Sequence, residues 1–225
     1  MENKKLRGIL VCLLFFLSKY IQKFYSYLLK IDINKITADQ AIYLSLYATL
    51  TILLIYLLLY KEDIQKDMKK FKNNLWESLN NGLGAWFMGF VFMFMANTFI
   101  TSFFSITSGN ENVVRAMIKI NPSIMLLYAG ILGPINEELV FRKAIRDIMG
   151  DKYKVLFIII SGLIFGYLHV TNLDVNIYNI LFIIPYGILG MALAYTYRET
   201  DSIITPILIH MFHNIAVTLF VIFLV

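Results

Sequence analysis

Seven stretches of this chain, 8–29, 39–60, 80–106, 123–147, 154–170, 177–197 and 203–225, are mostly apolar. Each approaches the roughly 20 residues that cross a hydrocarbon core about 30 Å thick. In lipid a spanning segment must satisfy its own backbone hydrogen bonds, so runs of this length predict helices. The expected fold class is all-α: a polytopic membrane helix bundle of about seven transmembrane helices. Composition points the same way. Hydrophobic residues make up 59% of the chain and charged residues only 16%, against about a quarter charged in ordinary soluble domains. A soluble bundle of 225 residues has no core large enough to hide that much apolar side chain.

The first stretch is the weakest, because Lys19, Gln22 and Lys23 interrupt its second half. It follows a basic start, "MENKKLR", yet no small-x-small cleavage site comes after it, so it reads as an uncleaved anchor or a partly interfacial helix. The single cysteine, Cys12, excludes an internal disulfide. Stretches 1–7, 61–72, 142–154 and 198–201 hold fourteen of the twenty Lys and Arg residues. The alternate loops hold only Lys30, Lys35, Arg115 and Lys119. The positive-inside rule then predicts a cytoplasmic N-terminus. Nucleic-acid binding has no soluble basic domain to carry it; the expected partner is the lipid bilayer.

Against this background the run "GPINEELVFRKAIRD", residues 133–147, stands out, since charges inside lipid are costly. On a helix Glu138 and Arg142 (i, i+4) share a stripe and can pair, whereas Glu137 points about 100° away. Pro134 fits the first turn of a helix starting after Gly133, which would put both carboxylates near its positive end. A charged helix end at the interface is the bland alternative. The three histidines, His169, His210 and His213, all lie in apolar segments of the last third, and His210 shares a helical face with Asn214.

Glu, two His and Asn allow two hydrolytic arrangements. In one, Glu137 with His169 polarises a water while His210 and Asn214 donate to the developing oxyanion. In the other, Glu137, His169 and His210 ligate a divalent metal such as Zn²⁺, which activates the water. Neither needs a Ser or Cys nucleophile. A proton or ion relay through the same groups is a further reading, but the chain shows no inverted repeat.

"EELVFR" (137–142), "FGYLH" (165–169) and "HMFHN" (210–214) occur in that order. Together they resemble the three signature motifs of the CAAX protease and bacteriocin-processing family of intramembrane proteases. That family is also called abortive-infection type, and its eukaryotic members are the Ras-converting prenyl endopeptidases. The resemblance covers roughly 125–220. It implies a catalytic core of four membrane helices in 123–225, preceded by about three N-terminal membrane helices in 1–122, the whole forming one integral-membrane unit, and a bacterial plasma membrane is the expected location. It implies Glu137 as the essential carboxylate, His169 as its helper in activating water, and His210 with Asn214 as the oxyanion site. Glu138 and Arg142 would support the site's architecture, and His213, which the pattern does not require, would pack or stand behind the site residues. Both metal-dependent and metal-free glutamate mechanisms fit the pattern; the metal-free one is favoured, because Asn214 suits an oxyanion donor better than a ligand shell. The implied substrate is a membrane-associated peptide or protein, lipidated or bacteriocin-like. A non-catalytic immunity or scaffold protein that keeps the motifs as structure is the alternative.

Overall fold

The computed structural model describes residues 2–171 and 177–224. Among these every regular element is a helix, with no strand. We label the helices α1 (Glu2–Leu28), α2 (Ala38–Leu59), α3 (Lys61–Asn73), α4 (Leu75–Phe104), α5 (Gly109–Ile120), α6 (Pro122–Met149), α7 (Lys154–Thr171), α8 (Tyr178–Thr200) and α9 (Ile204–Leu224). Six of them, α1, α2, α4, α6, α8 and α9, are long and apolar enough to cross a membrane. The apolar part of α7, Lys154–Val170, is shorter; at 1.5 Å per residue it reaches about 25 Å. The all-α polytopic bundle anticipated from the apolar runs is the fold observed.

Two segments read from sequence as loops are helices. Within 61–72 lies α3, whose Ile64, Met68 and Phe71 pack on the main core; that i, i+4, i+7 spacing makes one apolar stripe on an otherwise charged helix. Within 107–122 lies α5, opened by Ser108, whose hydroxyl accepts a hydrogen bond from the Glu111 N–H.

A second difference concerns Pro134. It does not start a helix. Instead α6 runs continuously through it, because the backbone widens into a π turn over Tyr128–Leu132, and a second follows at Leu139–Ala144. The Gly133 N–H donates to Tyr128 O, five residues back. Pro134 has no N–H to offer Ala129 O next in that register. The orphaned carbonyl is taken by the Asn214 amide Nδ2 of α9, at 2.9 Å. A proline inside a span is tolerated when a neighbouring helix satisfies the freed backbone group, and Asn214 does so here. Both carboxylates therefore sit mid-helix, away from any free N-terminus.

The core is centred on α6 and α8, the most buried of the spans. Helix α8 packs on α7 and α4, α9 packs on the first half of α6, and α1 packs on α2 and the second half of α6. The α7–α8 contact is close enough that a Cβ on Gly166 would lie 2.5 Å from Ile183 O and one on Gly162 would lie 2.8 Å from Gly187 O. Small residues four apart let membrane helices approach to this distance. The tight contact sets His169, one turn beyond Phe165, against α6 and α9.

Candidate active site

The three ionisable side chains singled out in the sequence converge. Glu137 Oε2 on α6 lies 4.0 Å from His169 Nε2 on α7 and 3.8 Å from His210 Nε2 on α9. These gaps exceed hydrogen-bond length, and among the described residues Glu137 Oε2 is a buried oxygen without a hydrogen-bond partner. The Glu137 side chain is nevertheless 26% exposed, whereas His210 is 2% and Glu138 0%. One carboxylate is reachable and its neighbour is sealed.

Hydrogen bonding fixes the tautomers. His169 Nδ1 lies 2.8 Å from Phe165 O, and a carbonyl only accepts, so Nδ1 carries the proton. His210 Nδ1 lies 2.8 Å from Glu138 Oε1, and an ionised carboxylate only accepts, so Nδ1 carries the proton there too. In the neutral ring each Nε2 then presents a lone pair to Glu137.

Glu138 makes a second contact, 3.0 Å from Oε2 to Arg142 Nε. This is the i, i+4 pair expected from the sequence, now fully buried at both ends. The guanidinium also donates to Gly190 O at 3.1 Å and lies over the Phe165 ring, 4.6 Å from its centroid. Sequence reasoning missed the link from Glu138 to His210, which depends on how α6 and α9 approach. It also missed the part played by Phe165, whose ring meets His169 at 4.2 Å, His210 at 5.7 Å and Phe141 at 5.6 Å between centroids. The Tyr186 ring stacks on the other side of His169 at 5.0 Å, its hydroxyl held by Ser108 and Asn110.

Asn214 lies one turn from His210 on α9, and its amide is bonded to Ala129 O rather than to Glu137 or either histidine. His213 packs as expected, its Nδ1 accepting from Trp86 Nε1 at 3.3 Å.

Glu137, His169 and His210 offer one oxygen and two nitrogens, the donor set for Zn²⁺. Two ligands on a tetrahedral zinc at about 2.0 Å stand roughly 3.3 Å apart, closer than the 3.8 and 4.0 Å here. Among the described residues no group of three His, Cys, Asp or Glu side chains has the arrangement of a metal site. As they stand these atoms are spread wider than the ligands of a tetrahedral zinc, and no step below runs through a metal.

Two comparisons with known proteins found matches to this chain. Residues 119–216 match the family described as type II CAAX prenyl endopeptidase Rce1-like. A Bacillus subtilis (strain 168) protein named "Putative membrane peptidase YdiL" is 31% identical over 108 residues, 48% of this chain and 41% of the relative. The chain thus spans less than half the length of the curated relative it matches. No solved structure matches at the same stringency. The matched stretch 119–216 holds Glu137, Glu138, Arg142, His169, His210 and Asn214, and it is this part of the chain that is similar to the Rce1-like CAAX prenyl endopeptidases.

Proposed function

We propose that the protein is an intramembrane endopeptidase that hydrolyses a peptide bond of a membrane-associated protein or peptide. The observation that carries this reading is the Glu137 carboxylate, about a quarter exposed and facing two imidazole Nε2 atoms at 3.8 and 4.0 Å. Glu137, with His169 beside it, takes a proton from water as the water oxygen adds to the scissile carbonyl carbon. His210 and Asn214 donate to the oxyanion that results. Donation from His210 Nε2 requires the doubly protonated ring, and the Glu138 carboxylate on Nδ1 lies against that charge, as the aspartate of a serine-protease triad does. Asn214 spends one amide hydrogen on Ala129 O and keeps the other. Collapse of the tetrahedral intermediate breaks the C–N bond, and the proton held by Glu137 passes to the leaving amine.

In this reading residues 123–225 form the catalytic core, with 1–122 packed beside it in a single membrane unit. The basic stretches put the N-terminus in the cytoplasm, in a bacterial plasma membrane. Lipidated CAAX-type proteins and bacteriocin-related peptides are the two substrate classes to offer. The test is cleavage of such peptides by the protein in liposomes. Glu137→Gln removes the base while keeping shape, and is expected to lower kcat by about 10²–10⁴-fold. Unchanged cleavage would end the proposal and favour a scaffold or immunity role.

A further inference from the structure

A hydrolase embedded in lipid must be supplied with water, and between α1, α2 and the Glu137 stretch of α6 lies a series of hydrogen-bonding groups that the proposed chemistry does not use. On α1 Gln22 Nε2 donates to Ser45 Oγ of α2 at 3.2 Å. The Tyr128 hydroxyl on α6 faces the Ser45 and Thr49 hydroxyls and lies within electrostatic reach of Glu137. The next polar group is Asn136, beside Glu137, whose Nδ2 donates to Leu132 O at 3.0 Å and reaches Thr49 O at 3.5 Å. Asn136 is only 8% exposed, and among the described residues its Oδ1 has no hydrogen-bond partner. A buried amide oxygen without a donor costs about 1–3 kcal/mol, a cost removed when a water donates to it.

The register supports a continuous path. Helices α2 and α6 start side by side, joined by Asn121 Nδ2 donating to Asp39 Oδ1 at 3.1 Å. At 1.5 Å per residue Ser45 and Tyr128 lie about 10 Å in from that end, Thr49 about 16 Å and Asn136 about 21 Å. The groups descend in order, all uncharged, each able to donate and accept. An uncharged path offers water its hydrogen bonds without holding an ion in place. Along the opposite face of α2, Leu50, Leu54 and Leu58 are exposed hydrophobics suited to lipid.

We infer that Gln22, Ser45, Tyr128, Thr49 and Asn136 form a water path leading from the Asp39–Asn121 end of the bundle to Glu137. Its use in catalysis rests on the protease reading, but its existence does not. The sole cysteine, Cys12, makes a direct test possible. In a Cys12→Ala background, Ser45→Cys, Thr49→Cys and, as a control one residue further along the same helix, Leu50→Cys are placed in the full chain in open membrane sheets. Silver ion, nearly as small as water and insoluble in hydrocarbon, is the probe. Protection of each thiol from later maleimide labelling in denaturant gives the rate. Ser45→Cys and Thr49→Cys are expected to react at least about ten times faster than Leu50→Cys. Equal rates at Thr49 and Leu50 overturn the path whether or not the protein cleaves anything. A second arm reads Thr49→Val combined with Asn136→Leu, which should lower the silver rate at Ser45→Cys several-fold; an unchanged rate breaks the continuity of the path. If the protein is a protease, the same pair lowers kcat several-fold at unchanged KM.

Discussion

Helix α6 carries two charged clusters a turn and a half apart, and they are built on opposite rules. At its second half Lys143 pairs with Asp147 at 2.8 Å and reaches Asp63 at 3.7 Å. Arg7 of α1 pairs with Asp63 and lies 3.4 Å from Asp147, with the Tyr60 ring between Arg7 and Lys143 at 4.6 and 5.2 Å. Two cations and two anions from three helices neutralise one another. Around Glu137, by contrast, three lone-pair-bearing atoms meet with no donor among them. Charges brought inside a bundle are tolerated when paired, and a buried oxygen left without a donor is held at a cost in stability. The first cluster fastens α1 and α3 to α6, and the second is the site proposed above for the chemistry.

The largest effect that can break this contrast lies within one pair of neighbours. Glu137→Gln should abolish most cleavage and leave thermal stability in detergent unchanged, since among the described residues Glu137 Oε2 has no hydrogen-bond partner. Arg142→Leu should do the reverse first. It strands the buried Glu138 carboxylate, and removing one partner of a buried ion pair costs about 3–5 kcal/mol. Thermal unfolding followed by circular dichroism separates the two; a stable Arg142→Leu variant would mean that Glu138 is not anchored as described.

Much of this was legible in the sequence. Apolar runs located the spans because lipid imposes length and continuity on a helix. The Glu138–Arg142 pair followed from i, i+4 spacing, and its separation from Glu137 followed from the helical turn. What was not legible depends on contacts between helices. Glu138 meets His210 only because α6 and α9 pack, and Asn214 meets Ala129 only because Pro134 widens α6, a proline that reads equally well as a helix start. Helix α3 was missed for another reason: a search for long apolar runs passes over a charged helix, although the Ile64–Met68–Phe71 stripe was there to be counted.

A smaller effect sharpens the account of α6. Asn214→Ala frees the Ala129 carbonyl inside the bundle, which should cost about 1–3 kcal/mol. Asn214→Asp removes the donor as well, but Asn214→Gln keeps an amide on a longer arm. If Asn214 serves only the backbone, stability and kcat fall together across the three. If it also meets the oxyanion, kcat falls further than stability predicts. Activity measured at a temperature well below each variant's midpoint distinguishes the outcomes.

The smallest effect belongs to a third set of charges, where the last turns of α6 and α8 meet the exposed Asp151 and Asp201. Asp151 accepts from Arg146 at 2.9 Å and Arg198 at 2.7 Å, and Asp201 pairs with Arg146 at 2.7 Å and with Lys70. The hydrogen bond from Arg146 holds the Asp151 carboxyl below its ordinary value. For Asp201 burial pushes upward, but the bonds from Lys70 and Arg146 outweigh it and the net direction is down. A carboxyl depressed in the folded state stabilises the fold above its unfolded value, about 3.9. That contribution is lost as pH falls through the lower folded value. Stability should therefore be flat in this respect from pH 7 to 5 and decline below about 4. Both side chains are more than half exposed, so each is worth at most about 1 kcal/mol. Asp151→Asn should lower the unfolding midpoint slightly at pH 7 and not at all near pH 2, measured in parallel with the parent protein. A large loss at pH 7 would show that this outer set is built like the sealed cluster of α6 rather than as a solvent-screened rim.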